Sequence, residues 1–75
     1  MTAPRNRKPP RAAFARLSGR ERQILDLLSH GLSNKEIGDR LRVSQFTVKN
    51  HLARIFVKLH VRSRTAAAMA YFHPA

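Results

Sequence analysis

Ser33-Asn34-Lys35-Glu36-Ile37-Gly38-Asp39-Arg40-Leu41-Arg42-Val43-Ser44-Gln45-Phe46-Thr47-Val48-Lys49-Asn50-His51-Leu52-Ala53-Arg54-Ile55-Phe56-Val57-Lys58-Leu59 holds two helix starts and one sharp turn, and its periodicity decides the architecture of the chain. Ser33 and Glu36 have the spacing of a capping box, in which the serine oxygen accepts from the glutamate N–H and the carboxylate reaches back to the serine N–H. Ile37 and Leu41 supply one apolar edge, which predicts a helix of about two turns over 34–41. Ser44 is the next N-cap, with Val43 and Val48 at the spacing of a hydrophobic staple, so the chain turns through Arg42 and Val43. Over 45–59, Val48, Leu52, Ile55 and Leu59 recur at i, i+4, i+7 and i+11. At about 100° per residue they fall in one narrow stripe that faces a core. The opposite face is then fixed: Asn50, Ala53 and Arg54 near its centre, Thr47 and Lys49 at its flanks.

Two helices joined by a short turn, the second carrying polar residues opposite its apolar stripe, form a helix-turn-helix. An α-helix fits the roughly 12 Å wide major groove, where each base pair presents a distinct set of donors and acceptors. Gly38, directly after Ile37, is placed where the two backbones approach. In a helix interior glycine costs about 1 kcal/mol relative to alanine, so its presence points either to close contact or to a tolerated weakness, and close contact is the expectation.

The flanking sequence extends this unit. Upstream, Ser18-Gly19-Arg20-Glu21 is a second capping box, followed by the stripe Ile24, Leu25, Leu27 and Leu28, with Gly31 where a left-handed C-terminal cap is wanted. This predicts a helix over 19–30. Downstream, His60-Val61-Arg62 connects to Ser63 as an N-cap and to an Ala-rich helix over 64–72. No segment alternates with the period of two that a strand needs, so the fold is all-α with four helices. Residues 1–16 contain Pro4, Pro9 and Pro10 among Arg5, Arg7, Lys8, Arg11 and Arg16, which predicts a disordered basic arm preceding a folded domain over 17–73.

Composition narrows the partners. The 75-residue chain carries a formal net charge of +11, which points to a polyanion. Its acids, Glu21, Asp26, Glu36 and Asp39, all precede Arg40, and beyond that point the side chains carry positive charge without one carboxylate. A chain this short leaves little room for a deep catalytic pocket, which disfavours an enzyme, and no cofactor or small-molecule substrate is expected. With no cysteine the fold is held by packing alone, as suits a reducing compartment. Neither a signal peptide nor a run of 18 apolar residues is present, so the protein is expected in the cytoplasm and away from the membrane.

Leu17-Ser18 with Arg20-Glu21-Arg22, then Gly31-Leu32-Ser33-Asn34-Lys35-Glu36-Ile37, then Ser44 with Thr47-Val48-Lys49-Asn50-His51-Leu52, then Lys58-Leu59 with Val61-Arg62-Ser63-Arg64 resemble the LuxR-type (GerE) helix-turn-helix family. The resemblance runs from Leu17 to about Phe72, with its motifs in order. It implies a four-helix response-regulator effector domain that binds double-stranded DNA as a homodimer, places helix 45–59 in the major groove and regulates transcription at the bacterial nucleoid. By position, Lys49, Asn50, Ala53 and Arg54 would face base edges, and Ser44, Thr47 and Lys58 would meet phosphates. Asn34 and Lys35 would add backbone contacts where a helix dipole favours anions. The last helix would supply the dimer contact through Ala66, Met69, Ala70 and Phe72, although the same small apolar surface also serves to close a core. Gly38 departs from the pattern, since the family usually has alanine there.

Other readings compete. His30, His51, His60 and His73 lack cysteine partners, an i, i+4 pair or carboxylates at ligand spacing, so no metal site is expected, and His51 reads as a packed flank residue. Ser18, Ser33, Ser44 and Ser63 each sit where an N-cap is needed and have no paired base, which makes them caps and not nucleophiles. Lys58 is also placed to meet the last carbonyls of its own helix. Region 4 of sigma factors shares the Gly31-Leu32-Ser33, Glu36-Ile37 and Thr47-Val48-Lys49 elements, which makes a module docking on RNA polymerase the alternative to a DNA-binding regulator. The segment 58–67 favours the regulator. A sequence-blind basic nucleic-acid coat is a third reading. A membrane-active cationic peptide is the weakest, because the helices are capped and patterned for a globular core.

Overall fold

The computed structural model describes residues 11–72. Within them the chain forms α1 (Arg11–Ala15), α2 (Gly19–Ser29), α3 (Asn34–Leu41), α4 (Gln45–Leu59) and α5 (Arg64–Phe72), and no strand. The expected capping boxes are made. Ser18 Oγ accepts from Glu21 N–H at 3.1 Å while Ser18 N–H donates to Glu21 Oε1 at 2.8 Å. Ser33 and Glu36 repeat both bonds at the same distances. Ser44 Oγ accepts from Thr47 N–H at 3.0 Å, and Ser63 Oγ does the same for Ala66. Each serine thus satisfies an N–H that the first turn of a helix leaves without a partner.

The helix ends differ in kind. After α2, Gly31 takes φ +91°, Gly31 N–H donates to Leu28 O and Leu32 N–H to Leu27 O, the two bonds of a Schellman motif. After α3 and α4 the left-handed residues are Arg42 (φ 61°) and His60 (φ 57°), and the same long backbone bond closes each end, Val43 N–H to Gly38 O and Val61 N–H to Phe56 O. An L-residue in that conformation costs about 1–2 kcal/mol. His60→Gly is therefore expected to stabilise the domain by about 0.5–1 kcal/mol after glycine's greater unfolded-state entropy is subtracted. A thermal melt should rise by about 2–8 °C, and a fall would show that the His60 side chain holds the turn.

The core is assembled from every helix. Ile24, Leu25 and Leu28 of α2, Ile37 of α3, Val48, Leu52, Ile55 and Leu59 of α4, and Ala67 of α5 are buried together with Leu17. The α4 stripe read from the sequence is the centre of this cluster, and Val48, Ile55 and Leu59 are fully enclosed. α3 packs along α4, α5 packs on α2, and α2 lies between.

One expectation is corrected. Residues 11–15, assigned to a disordered arm, form α1, which docks on α4 and buries Ala13, with Phe14 packed against the core. The Pro- and Arg-rich composition masked it, because the surface that orders this short helix comes from α4, distant in the chain. Residues 1–10 of the expected arm, and His73 of the expected domain, lie outside the described residues.

Candidate nucleic-acid interface

Because Val48, Leu52, Ile55 and Leu59 point inward, the other side of α4 faces solvent. Lys49, Asn50, Ala53 and Arg54 are all exposed and Thr47 is half-buried. No ion pair among the described residues ties down Lys49 or Arg54. α4 itself contains no acid, and each Asp and Glu side chain among the described residues is engaged elsewhere. Glu21 meets Lys58, Asp26 accepts from Tyr71 at 2.6 Å, Glu36 caps α3, and Asp39 pairs with Lys35 at 3.7 Å. The outward face of α4 is left with donors, positive charge and no competing anion.

α3 holds α4 at its angle through Gly38. A Cβ at this position would lie 2.6 Å from Val43 O and 3.3 Å from both Gln45 N and Ser44 C, so the backbone of the turn rests directly on the glycine. The close approach expected from the sequence is present, and its partner is the turn into α4.

The remaining candidates are not equivalent. Ser44 and Thr47 are joined at the start of α4, Ser44 donating to Thr47 Oγ1 at 3.0 Å. Asn34 Oδ1 accepts from Arg64 at 2.6 Å, and the same guanidinium also donates to Leu32 O, so α5 is clamped to the start of α3. Lys35 stands exposed in its surface pair with Asp39. Lys58 is redirected: its ammonium lies 2.7 Å from Glu21 Oε1 and donates to Arg16 O at 3.3 Å. This ion pair ties the end of α4 to the start of α2, and the carbonyl that Lys58 meets is not in its own helix. His51 packs as a flank residue of α4, half-buried, with its Nδ1 enclosed and without a hydrogen-bond partner among the described residues.

Glu21 and Tyr71 were not foreseen as partners of these elements. Burial pushes the Glu21 carboxyl up, yet the hydrogen bonds from Lys58 and Ser18, with the Lys58 charge, outweigh it and hold the group below the ordinary carboxylate range. The hydrogen bond to Asp26, helped by burial, raises the Tyr71 phenol above its usual value and keeps it a donor. On α5 the expected dimer seam divides. Ala70 is buried in the monomer core and is unavailable to a partner, and Ala66 is half-buried at the edge, whereas Met69 and Phe72 are each 53% exposed. α5 packs mainly on α2 and buries Ala67 and Ala70, which leaves Met69 and Phe72 as its exposed large apolar side chains.

The family profile described as bacterial regulatory proteins, luxR family, matches residues 15–71, the whole of this arrangement from the end of α1 to α5. The chain belongs to the luxR family. The luxR-family domain is 47% identical over 53 residues to the DNA-binding transcriptional activator DevR/DosR of Mycobacterium tuberculosis, covering 71% of this chain and 24% of that protein. It is 45% identical over 58 residues to the nitrate/nitrite response regulator protein NarP of Escherichia coli, covering 77% of this chain and 27% of NarP. The chain thus spans about a quarter of the length of these curated relatives. Among solved structures, the response regulator StyR superposes with a TM-score of 0.77 at 39% identity, over 81% of this chain and 31% of that one.

Proposed function

We propose that this luxR-family domain binds double-stranded DNA in a sequence-specific way and regulates transcription, with α4 lying in the major groove. The observation that carries this reading is the polarity of α4: a buried apolar stripe on one side, and exposed Lys49, Asn50, Ala53 and Arg54 on the other. Asn50 and Arg54 have the donor geometry that base edges match, asparagine to adenine and arginine to guanine. Lys35, at the start of α3, and Ser44 and Thr47, at the start of α4, are positioned for phosphates, where helix N-termini favour anions. The role is non-catalytic, in keeping with a family of regulatory proteins and with serines engaged as caps.

The domain acts as a homodimer through the outer side of α5, where Met69 and Phe72 offer an exposed apolar surface flanked by Ala66. Its location is the cytoplasm, in keeping with the absence, among the described residues, of any helix long and apolar enough to cross a membrane.

Selection from random duplexes, followed by salt titration, tests the reading. Contact with about six phosphates gives a slope of log affinity on log salt near −5, and a specific site keeps roughly a thousandfold advantage over random duplex. Dimeric binding appears as two half-sites about 10 base pairs apart. Arg54→Ala should relax base preference at one position per half-site and cost on the order of 1–3 kcal/mol. A steep salt slope without any preferred sequence would instead identify a sequence-blind coat.

A further inference from the structure

Phe46 is the second residue of α4 and is 67% exposed. A single exposed apolar side chain is ordinary on a protein surface, so exposure alone assigns nothing. What distinguishes Phe46 is its place. At about 100° and 1.5 Å per residue it lies about 40° around the helix and about 6 Å along it from Asn50, on the side opposite the buried stripe. Phe14 and Phe56 pack against the core, and Phe72 makes edge-to-face contacts with His30 and Tyr71. Phe46 has no such partner among the described residues, and its neighbours on that face are Asn50, Lys49 and Ala53, all polar or small.

In the major groove the one apolar group on a base edge is the C5 methyl of thymine, and phenylalanine is among the side chains that pack on it. The N-terminal part of a recognition helix is the part that reaches base edges, and Phe46 sits in its first turn. We infer that Phe46 is a specificity-determining residue that packs on a thymine methyl, one helical turn from the base read by Asn50, so that each half-site carries an A·T pair at that position. This rests on the DNA-binding reading above and adds to it the chemistry of one base pair.

The test uses all 75 residues of the sequence. After a preferred duplex has been selected, each thymine is replaced in turn by deoxyuridine, which removes the methyl group and leaves the hydrogen-bonding edge unchanged. For the wild-type chain, one thymine per half-site should lose about three- to tenfold in affinity, the scale of one buried methyl group. In Phe46→Ala that sensitivity should vanish, while in Val57→Ala, which removes another exposed apolar side chain of α4, it should persist. Because Phe46 is exposed, the alanine variant should keep the wild-type circular dichroism and melt.

A preferred site at which no thymine methyl matters overturns the inference and leaves the DNA-binding reading standing. A methyl effect that survives Phe46→Ala overturns it too, since another side chain then reads the methyl. Failure to select any site removes the underlying reading and this inference with it.

Discussion

Gly38→Leu is expected to leave the domain unfolded at 25 °C. The atoms that meet an added Cβ are Val43 O at 2.6 Å and the backbone of Ser44 and Gln45 at 3.3 Å. Unlike the end of a flexible side chain, they cannot rotate away, and leucine brings three further carbons behind the first. Overpacking a well-filled site costs about 1–3 kcal/mol when neighbouring side chains can adjust, and here the turn itself has to move. Moving it displaces the Ser44 cap, worth about 1 kcal/mol, and disturbs the core that holds both Ile37 and Val48. A single core in a domain this small rarely supplies more than about 3–5 kcal/mol, so these losses, with the disturbed core added to them, take up what is available. Far-UV circular dichroism would show the loss of helix directly, and a melt within about 4 °C of wild type would refute the crossing. Gly38→Ala asks for a smaller displacement and recovers about 1 kcal/mol of helix propensity, so it should fold with a lowered melt.

The parts of this architecture that were legible in the sequence are those specified locally. A serine three residues before a glutamate names a helix start whatever surrounds it, and the recurrence of Val48, Leu52, Ile55 and Leu59 names both the core face and the contact face of α4. Gly31 is readable for the same reason, since a left-handed residue is usually glycine. Arg42 and His60 adopt that conformation against their own preference, because core packing on both sides of the turn fixes where the chain has to reverse. α1 was hidden because its burial depends on α4. The division of α5 into a buried edge with Ala67 and Ala70 and an exposed edge with Met69 and Phe72 follows from the direction in which it docks on α2, which an Ala-rich repeat does not encode.

The site follows the same rule. Asn50 and Arg54 were placed by the period of their own helix. The Lys58–Glu21 pair was not legible because Glu21 was already accounted for as half of a capping box, and nothing in the local sequence says that one carboxylate serves both Ser18 and a lysine 37 positions away.

Lys58→Met is expected to reveal this through stability and its pH dependence. Glu21 is 4% exposed, and without the ammonium its carboxylate keeps only the Ser18 bonds. Stranding a buried charge costs about 3–5 kcal/mol; since the Lys58 side chain is 35% exposed and water reaches the pair, the expected loss is nearer 2 kcal/mol, or roughly 10 °C in the melt. The sign of the acid response should also change. In the wild type the folded Glu21 carboxyl lies below its ordinary value, so its contribution is complete above an unfolded pKa of about 4.3 and is lost as pH falls through the folded one. In Lys58→Met the lowering contributions from lysine are gone and burial raises the group, so protonation relieves the folded state as pH approaches the carboxylate range. The gap between variant and wild type should therefore narrow from pH 7 towards pH 4, and adding Glu21→Gln should close most of it at neutral pH. Glu36, held low by its bonds to Ser33, titrates alike in both proteins and cancels in the difference. A gap that is constant across this range, or a neutral-pH melt within about 2 °C of wild type, would return Lys58 to the surface and to the phosphates.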